Sequence, residues 1–391
     1  MVGLSARGWD DLPVRLQNLV ERAEVLVGSP RHLALVPLVS GQQRTTLPVP
    51  VREGLVALLG AVDHRRVVVL ASGDPLLAGI GTTLVDEVGA DQVYIHPAVS
   101  SVALARARMG WDAESVEVIR LRGDDVDQIR RQLGPRRRLV VLSRDGGSAA
   151  EIAAVLVAAG FGASRLTVLS DLDTDDETRV ERTADAWTGA APALNLVCVE
   201  CVGPPTESLA AGVPDDWFDH DGQLTKRDVR ASALAHLMPR PGERLWDVGA
   251  GAGSVAIEWL RAHPTCRAVA LERDQARAKR IDANARRLGV PRLAVVVGEA
   301  PAALAGLPAP DAIFVGGGAS TQTLETCWAA LPSGGRLVGH AVTQETEMII
   351  SQAWRDHGGV LTRILVEHLE PIGHYHGWKP ARAVVQWSAT K

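Results

Sequence analysis

Residues 245–258, LWDVGAGAGSVAIE, decide the reading of this chain, because an acid and three glycines stand where a buried strand must turn sharply into a helix. Leu245, Trp246 and Val248 read as strand. Gly249, Gly251 and Gly253, with Ala250 and Ala252 between them, let the backbone fold tightly and approach a ligand that larger side chains would exclude. Amides at the start of the next helix then face that ligand. The spacing is G-x-G-x-G with Asp247 two residues upstream, whereas a dinucleotide site asks for G-x-G-x-x-G. The pattern favours S-adenosylmethionine over a nicotinamide cofactor.

Three further strand ends follow in order. The apolar run RAVAL (267–271) stops at Glu272, where a carboxylate can accept hydrogen bonds from both ribose hydroxyls. LAVVVGEAPAAL places Gly298, Glu299 and Ala300 at the end of a strand, beside the expected adenine. PDAIFVGGG runs as a strand from Ala312 to Val315 into Gly316, Gly317 and Gly318, of which Gly316 and Gly317 are expected on the substrate side. Strand ends repeated on one edge of a parallel sheet form the crevice where α/β folds bind ligands.

Working outward, 391 residues exceed what one core usually supports, and two domains are expected. The boundaries read as 1–203 for the first domain, 204–223 for a linker rich in Pro, Gly and acids, and 224–391 for the second. Apolar content of 46% with 38 Gly and 22 Pro suits an α/β protein, not a disordered or fibrous one. A formal net charge of −5 gives no bulk attraction for nucleic acid. No run reaches 18 uninterrupted apolar residues and the first residues lack a secretory pattern, so no membrane contact and a cytoplasmic location are expected. Four cysteines, at 198, 201, 266 and 327, are too few and scattered for a disulfide framework. Cys198 and Cys201 lie three apart in a strand-like run and so point to opposite faces, which argues against a zinc or redox pair.

LTKRDVRASALAHLMP reads as a helix with Thr225 as its N-cap. After Gly334 and Gly335 come three strand-like runs, RLVGHAV, LTRILVEHL and ARAVVQWSA, the last two expected as a closing antiparallel hairpin. The first half carries its own glycine signature in RRVVVLASGDPLLAGIG: Val67–Ala71 as strand, then a turn through Ser72, Gly73, Asp74 and Pro75. In VYIHPAVSSVALARARMGW, Ser100 and Ser101 are expected to cap the following helix.

SGDPLLAGIG, PAVSSVALARARMGW and ALNLVCVE resemble the tetrapyrrole methylase family, in particular its CbiE-type members. TKRDVRA, LWDVGAGAGSVAIEW, PDAIFVGGG, GHAVT and HGWKPARAVVQW resemble the CbiT-type companion. Fused in this order, the two halves resemble the precorrin-6Y C5,15-methyltransferase (decarboxylating) family of cobalamin biosynthesis. The resemblance implies an N-terminal tetrapyrrole methylase fold of two αβα subdomains followed by a Rossmann-like class I methyltransferase domain. It implies methyl transfer from S-adenosylmethionine to C5 by the first domain and to C15 by the second, with loss of the C12 acetate carboxyl. By matching motif, the first cofactor site would use Gly3, Gly73, Asp74, Leu77, Ser101 and Val102; the second would use Thr225, Asp247, Gly249 to Gly253, Glu272, Glu299 and Ala300. CbiT-type relatives assemble as tetramers, which implies a homo-oligomer.

A substrate with many carboxylates needs local cations, and Lys226, Arg227 and Arg230, together with Arg31 and His32, are the candidates. Arg136 to Arg138 read as a solvated turn. Decarboxylation needs a proton donor, for which His376 in HGWKPA and His340 in GHAVT are the candidates. His340 stands where the family pattern has Asn. His374 and His376 form H-x-H without a third ligand at suitable spacing, so no metal site is expected. In the first loop, GLSARG, Ser5 and Arg7 stand where the family has glycine and an acid, and only Met1 and Val2 precede Gly3, so either the start site is misplaced or the first cofactor pocket is weakened. A two-domain RNA methyltransferase and a non-catalytic S-adenosylmethionine-binding module are the alternatives. The first would add a basic face or an aromatic base-gripping loop where this chain has FVGGG.

Overall fold

Short runs such as VLV and VVVLA carry no polar alternation, the signature of parallel strands covered on both faces. In the computed structural model, which describes residues 1–48, 50–62, 65–121, 125–206 and 208–391, they behave so. The chain divides into two units, Met1–Asp124 with Gly134–Pro204, and Asp125–Leu133 with Pro205–Lys391. In the first, β1 (Val2–Leu4), β2 (Val25–Gly28), β3 (Gln43–Thr46) and β4 (Val67–Ser72) form a sheet in the order β1-β4-β2-β3, with every pairing parallel. Leu26, Val68 and Leu70 pack on one face with Leu12, Leu16 and Val20, while Val25, Val27, Val69 and Ala71 pack on the other with Leu55 and Leu84. A second sheet joins β5 (Val116–Arg120), β6 (Arg138–Leu142), β7 (Arg165–Ser170), β8 (Thr178–Thr183) and β9 (Asn195–Glu200) in the order β5-β6-β9-β7-β8. Only β5 and β6 run parallel there. Cys198 within β9 and Cys201 just beyond it are buried free thiols, and burial pushes both upward in pKa, to about 12 and about 11.

The second unit is built on seven strands: β10 (Arg244–Val248), β11 (Arg267–Glu272), β12 (Ala294–Val297), β13 (Ala312–Val315), β14 (Arg336–Ala341), β15 (Val360–Ile364) and, after a two-stranded ribbon of β16 (Glu367–Ile372) and β17 (Tyr375–Pro380), β18 (Val384–Thr390). Their order is β12-β11-β10-β13-β14-β18-β15. Strands β10 to β14 run parallel, and β18 enters antiparallel between β14 and β15. Alternation sorts the side chains: Leu245, Ala268, Ala270, Phe314 and Val338 face one helical layer, and Trp246, Val248, Leu271, Ile313 and Leu337 the other.

The closing hairpin needs correction. LTRILVEHL is not one strand: its first half is β15, whose ladder with β18 ends at Ile364 opposite Val384, and its second half belongs to β16. The linker reading also fails over its second half, because Val213 and Phe218 are 2% and 3% exposed and join the core of the second unit. Gly212 and Val213 donate their amides to the Glu258 carboxylate at 2.6 and 3.0 Å. Asn284 accepts from the Asp219 amide and donates to its carbonyl, both at 2.9 Å. The helix Arg227–Leu237 is capped by Lys226 with no side-chain bond, so Thr225 is not its N-cap; the Thr225 carbonyl accepts instead from Arg230.

Candidate active sites

Each glycine of the 249–253 loop has a left-handed φ, between +59° and +77°. A Cβ on Gly249 would lie 2.5 Å from the Gly317 carbonyl oxygen, and one on Gly251 2.7 Å from that of Gln223. The loop is therefore pressed between the turn after β13 and the chain entering the second unit. Gly249 and Ala250 both donate to the Leu271 carbonyl, at 2.9 and 3.0 Å, and Asn284 donates to Ala252 at 3.1 Å. Three elements thus fix one backbone curve.

Glu272, 4% exposed at the end of β11, accepts from the Gly251 amide at 2.8 Å and the Asp274 amide at 3.1 Å. Oε2 faces the loop and Oε1 the Asp274 amide after β11, where the strand order reverses around β10. Asp247 lies beneath, 1% exposed, with one oxygen accepting from the Ala256 amide at 3.0 Å and the other, Oδ1, without a partner among the described residues. Burial pushes its pKa up to about 7, opposed by the Ala256 amide and reinforced by the Glu272 charge. Gly298 donates to the Glu272 carbonyl at 3.1 Å, which brings the β12 turn alongside; Ala300 is half-buried there, and Glu299 is exposed and paired with Arg273 at 3.6 Å. Gly316 and Gly317 donate to the Val248 carbonyl at 3.0 and 3.4 Å and border the loop opposite Glu272.

The cations sort differently from expectation. Lys226 and Arg227 are exposed, Lys226 within 3.7 Å of Asp215. Arg230 has no exposed surface and is not a substrate contact: it pairs with Glu258 at 2.5 Å and Asp215 at 3.1 Å, and donates to the carbonyls of Val213 and Thr225. Its helix turns it inward, onto the Phe218 ring 4.8 Å away. His340 is likewise mis-cast as a proton donor. It is 7% exposed on β14, hydrogen-bonded to Gln386 of β18 at 3.0 Å with the Phe314 ring edge-on at 4.9 Å, and burial drives its pKa down to about 4. A neutral imidazole is a poor acid. His376 lies exposed on β17. Sequence reasoning missed Asn284, which belongs to no motif, and Gln386, which the HGWKPARAVVQW stretch contains but does not single out; each matters through a partner 30 or more positions away.

In the first unit, the ends of β1 and β4 lie side by side, Leu4 opposite Ser72. A Cβ on Gly3 would strike the Gly73 carbonyl oxygen at 2.0 Å, so only glycine fits this crossing. Gly73 donates to Leu4 at 2.8 Å and accepts from Ala98 at 3.0 Å, which draws the start of the Ser101–Met109 helix to the same edge. Ser100, not Ser101, caps that helix, through the Ala103 amide at 3.1 Å. Ser101 is left exposed at this edge, whereas Val102 turns into the core. Asp74 accepts from the Leu76 amide at 2.9 Å, and Leu77 is 36% exposed beside it. In the first loop, Ser5 donates to Asp11 at 2.7 Å.

Residues 1–186 match the family described as Tetrapyrrole (Corrin/Porphyrin) Methylases, and residues 216–391 match the Precorrin methyltransferase domain. The class is thereby defined: a methyltransferase made of a tetrapyrrole methylase domain and a second, Rossmann-like methyltransferase domain. Over 397 residues the chain is 42% identical to a Sinorhizobium protein named Precorrin-6Y C(5,15)-methyltransferase [decarboxylating], covering 100% of this chain and 96% of that one. Shorter Salmonella typhimurium proteins match parts of it. Cobalt-precorrin-6B C(15)-methyltransferase (decarboxylating) is 35% identical over 41% of this chain and 85% of its own length, and Cobalt-precorrin-7 C(5)-methyltransferase is 32% identical over 45% of this chain and 86% of its own. The chain belongs to the precorrin-6Y C5,15-methyltransferase (decarboxylating) family.

Proposed function

We propose that this chain methylates precorrin-6 (precorrin-6B, or 6Y) from S-adenosylmethionine, at C5 in its N-terminal domain (1–203) and at C15 in its C-terminal domain (224–391), and that the latter also releases the C12 acetate carboxyl as carbon dioxide, in cobalamin biosynthesis. The observation that carries the reading is full-length similarity to a protein named for both methylations, joined to two strand edges where glycines let backbone segments close tightly on one another. The second edge fits the cofactor: Glu272 has its carboxylate at the end of β11, Asp247 has an open buried oxygen, and the loop carries no side chains beyond methyl groups. The sulfonium supplies an activated methyl group.

What the chain must supply is alignment, because the tetrapyrrole π-system provides the electrons and the departing sulfide is neutral. Gly316 and Gly317 leave room above the loop for a macrocycle. Lys226 and Arg227 stand ready for its carboxylates. Carbon dioxide loss leaves electron density in the ring system, and the acetate-derived carbon takes a proton from His376. Leu369, Ile372, Tyr375 and Trp378 of the ribbon are 54%, 64%, 80% and 67% exposed, an apolar surface that fits a homo-oligomer, a tetramer by family likeness. No helix of the described residues is long and apolar enough to cross a membrane, and four buried, unpaired thiols fit a cytoplasmic setting. Incubation with precorrin-6 and methyl-labelled S-adenosylmethionine tests the whole: two labels per tetrapyrrole and one carbon dioxide are expected, and fewer would refute it.

A further inference from the structure

The helix that follows β2 begins with Ser29, whose hydroxyl accepts from the His32 amide at 3.2 Å and so fixes the first turn at the edge where β4 ends. From that turn two side chains reach the same atom. Arg31 Nη2 lies 2.7 Å and His32 Nε2 2.9 Å from the Ser72 hydroxyl, and the two nitrogens lie 3.2 Å apart. A guanidinium only donates, so Ser72 Oγ accepts from Arg31. With His32 in its Nδ1–H tautomer, the single lone pair of Nε2 takes the Ser72 hydroxyl proton, and Arg31 Nη2 stands beside that nitrogen. A serine whose oxygen accepts from a cation while its proton leans on an imidazole is set to take a proton and pass one on.

Position gives this trio a task. Ser72 is exposed, directly precedes the Gly73–Asp74 turn, and sits opposite Leu4 at the edge assigned above to the first cofactor site. We infer that Ser72 is the proton acceptor for methylation in the first unit, with His32 as the relay behind it and Arg31 steadying the serine oxygen. The inference rests on the C5 assignment made under Proposed function. C5 of the tetrapyrrole forms a bond to the methyl carbon as the carbon–sulfur bond breaks and its electron pair leaves with the neutral thioether. The C5–H bond then breaks and its electrons return to the ring. Its proton goes to Ser72 Oγ, whose own proton passes to His32 Nε2 and returns to solvent by the reverse route once product has left.

The test uses the full chain with Ser72→Ala and, separately, His32→Gln, reading C5 and C15 methylation independently on precorrin-6 with hydrogen or deuterium at C5. Ser72→Ala is expected to slow C5 methylation on the order of 10²-fold or more, to leave S-adenosylmethionine binding, C15 methylation and carbon dioxide release unchanged, and to reveal a primary isotope effect absent from the parent. His32→Gln should do the same to a smaller degree. A Ser72→Ala chain that methylates C5 at the parent rate, or slows without an isotope effect, overturns the inference. If the unaltered chain methylates C15 alone, the division of labour between the units fails, and this inference with it.

Discussion

Arg230 and Glu258 meet at 2.5 Å with side-chain exposures of 0% and 2%, an ion pair sealed inside the second unit. Glu258 also accepts the amides of Gly212 and Val213, and Arg230 donates to the carbonyls of Val213 and Thr225. The pair is a clasp that holds the entering chain against the core. Removing one partner leaves the other charged, buried and unpaired. Arg230→Ala is therefore expected to destabilise the second unit by about 3–5 kcal/mol, read as a lowered midpoint in chemical denaturation, with Arg230→Lys recovering little because one ammonium cannot serve two carboxylates and two carbonyls at once.

Glu272 sets one carboxylate oxygen against the glycine loop and the other on the Asp274 amide, and Glu272→Gln keeps the shape while losing the charge. Each charged hydrogen bond to a ribose hydroxyl contributes about 1.5–3 kcal/mol. Calorimetry should show S-adenosylmethionine binding weakened by roughly 10- to 100-fold; unchanged affinity would remove the ribose role.

Asp247 makes stability depend on pH in a stated direction. Its pKa is raised from 3.8 to about 7, so the folded state holds the proton more tightly than the unfolded chain. Its contribution is full below pH 3.8 and is lost as pH rises through about 7. Asp247→Asn removes this term. The melting temperature of the variant should gain on that of the parent between pH 5 and pH 8, and parallel curves would refute the assignment.

His340 works with the opposite sign. Its pKa falls from 6.5 to about 4, so its contribution is full above pH 6.5 and is lost as pH falls through about 4. Acidification over that window should cost the parent up to about 1.4 kcal/mol per pH unit, and His340→Asn should flatten the loss. Denaturant titrations at pH 7 and pH 4.5 measure it.

His376→Ala should abolish most carbon dioxide release and leave the methyl count at C5 intact. Full release from this variant would end its candidacy as the proton donor.

The strand–glycine units were readable because each is local: apolar run, turn residues and helix start fall within about fifteen positions, and the strand ends at Glu272, Val297 and Val315 lie where the pattern puts them. What escaped was decided across distance. Arg230 reads as a surface cation on a polar helix face, and only the folded chain supplies Glu258 and the 213–218 segment that enclose it. The GPPTESLAAGVPDDWFDH stretch has no period because its two anchors, Val213 and Phe218, drop into the core from irregular backbone. Residues 125–133 group with the second unit although the sequence around them belongs to the first; a nine-residue amphipathic turn carries no mark of which apolar surface it will cover.

That clasp also sets where this molecule can be cut. A fragment starting at Leu224 would discard Val213, Asp215 and Phe218, strand Arg230 with half its partners, and leave a hole in the core that Val213 and Phe218 join. Anyone wishing to crystallise or assay the rear half alone should open the reading frame no later than Pro205, and should expect even that piece to miss the short turn donated from farther upstream.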